Sequence, residues 1–524
     1  MKYLIVLLLM IGSFTSNAQS PKFYEDISPL IYNKCTKCHR SGEIKEEIPL
    51  TNYTEVSNYA STIKYVTNIK YMPPWKPNHE YSNFQGENYL TDAQIKLIAD
   101  WVDAGTPAGD PTKEAPKPFF PIGSQLGTPD LVVNFSQGYK VKSNNKDEYR
   151  VFVLPSGLTQ NKDIAAVEFR PGNLSLVHHA LISQDTTGQA KILDAKDPEY
   201  GYLNFGGFGV NSADENMFPG YVPGTNPRFY PDGVAQPMFK KADVLVQVHY
   251  APTPIGGIDS STVNFFYSKK PVQRYVYQYT MLPFDIVNGP FVIPAKQVKT
   301  FHGEFEVPFK VSLLSIWPHC HLLGKEWKVF AIHPNGDTTN LIQVQDWDFN
   351  WQGGYSFKKY QILDPGTVIH AYATYDNTSN NPLNPNNPPK TVTWGEKTTD
   401  EMYYLPLSFV LYQPGDENVI FNDNTVATNG PKFVKASDKL FPISPNPIKN
   451  DPIQLAYRLY SNSEVRISLL DMNGREIMEL INEKNQMPGE HIVTASIQNV
   501  PSGQYLVQLQ TSNSQSSQTI QVVR

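Results

Sequence analysis

The sequence predicts a multidomain, mainly β protein: a small α-helical domain first, two tandem β-sandwiches in the middle and a small β-sandwich at the C-terminal end. Three features predict it. A chain of 524 residues exceeds what one hydrophobic core usually serves. Its 30 Tyr, 27 Phe and 43 Pro favour short strands and punctuated loops over long helices. From Leu131 to about Phe433, runs such as "YRVFVL", "DVLVQVHYA", "FKVSLLSIW" and "TVIHAYATYD" alternate with Gly, Pro, Asn and Asp clusters, the pattern of sandwich strands. A net charge of −6 offers nothing basic enough to suggest nucleic acid as a partner.

Residues 1–18 come first in chain order. They hold a lysine, an apolar run from Tyr3 to Ile11 and the small-residue sequence Ser16-Asn17-Ala18, the pattern of a cleaved signal peptide. The mature chain is expected to begin near Gln19, to cross the periplasm and to be soluble, because no later apolar run approaches the roughly 20 residues of a transmembrane segment. Only Cys35, Cys38 and Cys320 are present, so no disulfide framework remains once the first two carry a cofactor.

Residues 21–110 form the helical domain. "FYEDISPLIYNKC" spaces apolar residues at helical intervals, and "TDAQIKLIADWVDAG" opens on a Thr cap with Ile95, Ile98, Ala99 and Val102 on one face. Cys35-x-x-Cys38-His39 has the spacing for two thioethers to haem vinyl groups and an imidazole on the iron. A redox dithiol and half a zinc site are the rival readings, and no second cysteine pair completes the latter. The segment resembles a class I cytochrome c domain, which implies a compact helical fold around covalent haem c and a methionine as second axial ligand. Met72, in "KYMPPWKP", is the methionine in the interval between the CxxCH helix and the last helix; His79 competes for the same role, and Met72 as simple core packing is the bland reading.

The proline-rich stretch 111–127 reads as a linker, with sandwiches expected over 128–285 and 286–435. Histidines fall where strands are strongest: His178 and His179 in "LSLVHHALI", His249 in "VLVQVHYAP", His319 and His321 in "WPHCHLLG". Roughly seventy residues separate successive motifs, which puts each on a different strand. Residues two apart on a strand share a face, so His319 and His321 can converge on one ion while Cys320 points away as a small buried side chain. Adjacent His178 and His179 point to opposite faces unless the strand bends or bulges.

Over about Leu131–Phe433 the chain resembles the copper type II, ascorbate-dependent monooxygenases, the family of peptidylglycine α-hydroxylating monooxygenase and dopamine β-monooxygenase. "VHHALI", "VQVHYAP", "HCHLLGKEW" and "TTDEMYY" carry the resemblance. It implies two jelly-roll sandwiches that each hold one copper ion across a solvent-filled cleft. The electron-transfer copper would sit on His178, His179 and His249, and the oxygen-activating copper on His319, His321 and Met402. Imidazoles suit both copper oxidation states, and a thioether favours Cu(I).

Where peptide-amidating members have a substrate-binding arginine before the HxH pair, and asparagine and tyrosine after the methionine, this chain has Trp317, Tyr404 and Pro406. Without the arginine a peptide carboxylate loses its partner, so the organic substrate, small-molecule or peptide-like, stays open. The expected activity is that of an exported, haem- and copper-containing oxidoreductase. As a monooxygenase it would hydroxylate a C–H bond with O2. Electrons would pass from an ascorbate-like reductant through haem and the three-histidine copper to the copper held by two histidines and a methionine. The alternative is a surface electron-transfer or copper-binding protein without oxygen chemistry. His302, His333 and His370 fall into no pattern.

Residues 440–524 alternate like strands, with an "NG" turn and a "PSGQY" turn, and read as a small β-sandwich. They resemble the C-terminal sorting domain of type IX secretion cargo, which implies that machinery as a partner and a secreted or cell-surface destination.

Overall fold

The computed structural model describes residues 20–421, apart from 119, 121–123, 211–216, 225 and 255, together with most of 438–524. The signal peptide expected over 1–18 lies outside the described residues. The chain is mainly β, 41% strand against 12% helix, and forms two compact units that divide at Val426.

The N-terminal helices run Phe23–Ile27, a wide π turn, then Ser28–Lys34, Tyr53–Asn58, Ala60–Asn68 and Asp92–Asp103. The last is started by a reciprocal cap: Thr91 Oγ1 accepts the Gln94 N–H, and the Gln94 side chain accepts the Thr91 N–H. Its buried face is Ile95, Ile98 and Trp101, while Ala99 and Val102 are only half-buried. Trp101 dominates because its large ring packs on Phe23 while its indole N–H donates to Pro107 O at 3.1 Å.

The stretch after Met72 does not stay with these helices. Asn78 N–H donates to Gln343 O and Gln85 N–H to Ser356 O, both at 2.8 Å. Phe84, 1% exposed, stacks on Phe357 at 5.1 Å inside the core of strands that lie far along the chain. Part of the segment expected to be a self-contained helical domain is thus packed into a later sheet pair.

Two five-stranded sheets follow and share one core. One orders Tyr202–Leu203, Glu148–Pro155, Asp243–Tyr250, Val177–Asp185 and Phe218–Tyr221. The other orders Leu131–Asn134, Thr262–Tyr267, Lys162–Arg170, Val234–Met238 and Arg274–Tyr275. Asp243–Tyr250 is buried at every position, as befits the middle strand of its sheet.

The second pair consists of two four-stranded sheets. Tyr277–Met281, Leu405–Leu411, Val311–Ile316 and Tyr355–Leu363 face Val298–Glu306, Val368–Asp376, Gly324–Ile332 and Thr338–Val344 across a core that includes Trp327, Phe301 and Leu313. The chain changes sheet pairs at Val276. Tyr277–Met281, which falls within the span expected for the first sandwich, pairs with Leu405–Leu411 of the second.

The stretch 111–127 is tied at both ends. Ala115 N–H donates to Ser28 Oγ at 3.1 Å, Tyr32 hydrogen-bonds Glu114, and Gln125 N–H donates to Glu168 at 2.7 Å. The C-terminal unit has a three-stranded and a four-stranded sheet around Leu455, Tyr457, Ile467 and Leu509. Among the described residues no helix is long and apolar enough to cross a membrane.

Because Phe84 fills a site inside the second sheet pair, Phe84→Ala should destabilise the first unit by about 3–5 kcal/mol, read as a lower urea midpoint.

Candidate functional site

The strand Val177–Asp185 accommodates its two adjacent histidines with a register break. Val177 pairs with Tyr250 and His179 with His249, leaving His178 as an extra residue between them. His178 and His179 therefore turn to one side, and their ligand atoms lie within 4.8 Å of one another and of His249. The Nδ1 atoms of His178 and His249 are buried with no hydrogen-bond partner. His249 is held from behind: Tyr149 stacks on its ring at 4.1 Å, and its Nε2–H donates to Asp147 Oδ1 at 2.7 Å. That bond fixes the tautomer and leaves the Nδ1 lone pair toward the other two rings.

His319 and His321 follow the strand Val311–Ile316, with ring centroids 5.2 Å apart and planes nearly perpendicular. His319 forms a backbone bridge to Tyr404, two residues beyond Met402, which is buried at 6% exposure. Cys320 points into the core, where the Trp327 indole N–H donates to its sulfur at 3.2 Å. His321 Nδ1–H donates to Asp400 O at 3.1 Å, leaving Nε2 as its ligand atom.

The segment 396–402 serves both groups. Glu396 O accepts from Tyr149 Oη at 2.9 Å and Thr398 Oγ1 donates to Asp147 at 2.7 Å, both on the side of His249. Glu401, fully buried, accepts the N–H groups of His321 at 2.8 Å, Leu323 at 2.6 Å and Met402 at 3.2 Å on the other side. Burial pushes its pKa up to about 8 against the pull of those N–H groups.

The two groups face each other. Phe349 stacks on His178 at 5.1 Å and meets His321 edge-on at 6.0 Å, so one ring separates them. Trp317 spans the same divide. A Cβ on Gly220 would come within 2.7 Å of Ala180 O and 3.3 Å of the Trp317 ring, so only glycine permits that approach. Beyond Trp317 a cavity of about 730 Å³ extends past Tyr404 and Pro406 to Cys38 of the Cys-x-x-Cys-His motif.

In that motif the N–H groups of Cys38 and His39 both donate to Cys35 O at 3.1 Å. His39 Nδ1–H donates to Ile48 O at 2.9 Å, so Nε2 is the free ligand atom. Met72 is half-buried, with its N–H on Val66 O, and His79 is exposed and stacked on Tyr89 at 4.2 Å.

Sequence patterns miss Asp147, Phe349, Asp400 O and Glu401. Glu401 alone had a local signal, an acid beside a candidate ligand in "TDEM"; the others act across loops whose approach no periodicity encodes.

Burial lowers the pKa of all five histidines: His178 to about 4, His179, His249 and His319 well below 6.5, and His321 below it too. In the metal-free protein the unfolded chain then binds protons that the folded chain refuses. Stability present above pH 6.5 should be lost as pH falls toward about 4, seen as a falling thermal midpoint across that window. Glu401→Ala leaves three buried N–H groups without an acceptor, and at about 1–3 kcal/mol each it should lower the urea midpoint more than any surface substitution does.

Against known families, residues 442–523 match the secretion system C-terminal sorting domain. That domain directs the protein to secretion or the cell surface through the type IX machinery. None of the curated proteins matches the chain. Among solved structures, a β-glucuronidase of Parabacteroides merdae is similar at 8% identity over 43% of this chain and 28% of that one, with a TM-score of 0.14. A tetra-tandem repeat from the extending region of a large adhesion protein is similar at 10% identity over 72% and 75%, also with a TM-score of 0.14. The chain thus spans less than a third of the length of the glucuronidase, and at these scores neither likeness carries an argument about fold or function.

Proposed function

We propose that the first unit is a copper-dependent monooxygenase fused to its own haem electron donor. The observation that carries this reading is the pairing of two imidazole groups, three and two, on either side of Phe349, with two buried Nδ1 atoms in the larger group that no protein donor satisfies. A buried lone pair without a partner costs about 1–3 kcal/mol, and a bound cation removes that cost.

The donor sets fit the ions. Three neutral imidazoles suit copper in both oxidation states, and His319 and His321 with the Met402 thioether make a softer set that favours Cu(I). Cys35, Cys38 and His39 fit covalent haem c, with Met72 as the proposed second axial ligand. When bound, copper supplies one-electron chemistry toward O2 and haem c a one-electron store. The balanced reaction takes substrate, O2, two electrons and two protons to hydroxylated substrate and water, with an external reductant of the ascorbate class as electron source.

The chain's own residues set the terms. Asp147 and Asp400 O hold His249 and His321 in metal-binding tautomers. Glu401 fixes the backbone on which His321 and Met402 ride. Phe349 and Trp317 keep the space between the two groups apolar, so that water competes poorly there. Trp317, Tyr404 and Pro406 give the cavity an apolar and hydroxyl wall at the positions where the peptide-amidating family has its substrate-binding residues, and the cations of the same cavity, Lys37, Arg170, Arg228 and Arg274, come from other parts of the chain.

Copper EPR and metal content of the haem-loaded protein test this. His179→Ala and His319→Ala should each remove one type 2 copper per haem, and His319→Ala and Met402→Ala should both abolish substrate-dependent O2 uptake. Hydroxylation at the parental rate in either of the last two variants overturns the reading. Full copper loading with no O2 uptake across organic substrates would transfer it to surface electron transfer.

A further inference from the structure

A second cluster of metal-binding side chains lies on the outer face of the second sheet pair. His302 and Glu304 sit two apart on the strand Val298–Glu306 and so share a face; His370, on the neighbouring strand Val368–Asp376, is directly opposite Glu304 in register. Their strand neighbours Phe301, Ile369 and Ala371 are the ones buried in the core, so this trio points away from it.

Its geometry is that of a metal triangle. His302 Nε2 and His370 Nδ1 are 3.0 Å apart, and Glu304 Oε1 is 3.5 Å from each. Ligand atoms about 2.0–2.2 Å from a tetrahedral ion lie roughly 3.3–3.5 Å from one another, so an ion can enter with shifts of only a few tenths of an ångström. The rings are braced for it. Tyr372 stacks on His302 at 4.1 Å and 7°, and Phe330 stacks on His370 at 5.3 Å and 24°. The imidazoles are 17% and 16% exposed, while Glu304 at 39% opens the cluster to solvent.

We propose that His302, Glu304 and His370 form a separate site for a divalent first-row transition ion, with zinc the preferred occupant and solvent completing its coordination. Two imidazoles and one carboxylate match the donor types and tetrahedral habit of Zn(II). The site holds no sulfur ligand, which separates it chemically from the set containing Met402. Zinc here would take the place of the hydrogen bond between the two imidazoles, with His302 then carrying its proton on Nδ1 and His370 on Nε2, so that both rings bind as neutral ligands.

The test uses the full haem-loaded chain, stripped with a chelator and titrated with Zn(II) alone, then with Co(II) as a spectroscopic probe. The parent should retain one more equivalent of zinc than His302→Ala, and Co(II) should show strong tetrahedral d–d absorption that the variant lacks. Glu304→Gln, which keeps shape and hydrogen bonding on a partly exposed residue, should weaken this zinc by more than the roughly 10–100-fold that loss of a supporting partner behind a ligand costs. Equal zinc retention in parent, His302→Ala and Glu304→Gln, with unchanged Co(II) spectra, overturns the proposal. His319→Ala serves as the internal control: it leaves this equivalent in place, so failure of the copper reading and failure of the zinc site give different results.

Discussion

The buried carboxylate of Glu401 is the contact on which the two histidine groups depend. It gathers the backbone of His321, Leu323 and Met402, and so holds the His-x-His turn against the segment that supplies the thioether. That same segment reaches back through Thr398 and Glu396 to Asp147 and Tyr149, which orient His249. The short segment 396–402 thus bonds to the surroundings of both groups.

The second constraint is electrical. Packing five imidazoles together is tolerable only if they are neutral, and burial keeps them so. Neutral rings are also the form that binds metal, because a protonated imidazole has no lone pair to give. Desolvation thus acts twice: it removes the charge that would drive the rings apart and presents the nitrogens as ligands. The cost falls on the folded chain, which keeps unsatisfied Nδ1 atoms at His178 and His249 in its interior.

Much of this was legible in the residues and some was not. The mainly β character followed from Tyr, Phe and Pro content and from period-two runs, and strand alternation required a bend or bulge if His178 and His179 were to face one ion. The Thr91 cap was readable because capping is local. Three things were invisible for one reason, that they depend on register between strands or loops distant in sequence. Glu304 meets His370 only through a particular pairing of two strands, Phe349 reaches His178 only through a loop, and Phe84 enters a core whose other members carry no mark of it. Trp317 was visible as a departure from a family pattern, but its role as a wedge against Gly220 was not.

The seat of Phe84 has a consequence for the order of events during export. Gln85 bonds to the carbonyl of Phe357, 272 residues later; Phe84 packs on the same Phe357, and Asn78 bonds to Gln343 in the strand Thr338–Val344. The helices around Cys35 and Cys38 close over short distances, and Glu87 and Asn88 return to Lys34 among them, but Asn78, Phe84 and Gln85 make their long-range contacts with those distant strands. Contacts of such long range form late. The helices nearest the N-terminus can therefore form early, while the stretch between them that carries Asn78 and Phe84 is completed only with the late strands.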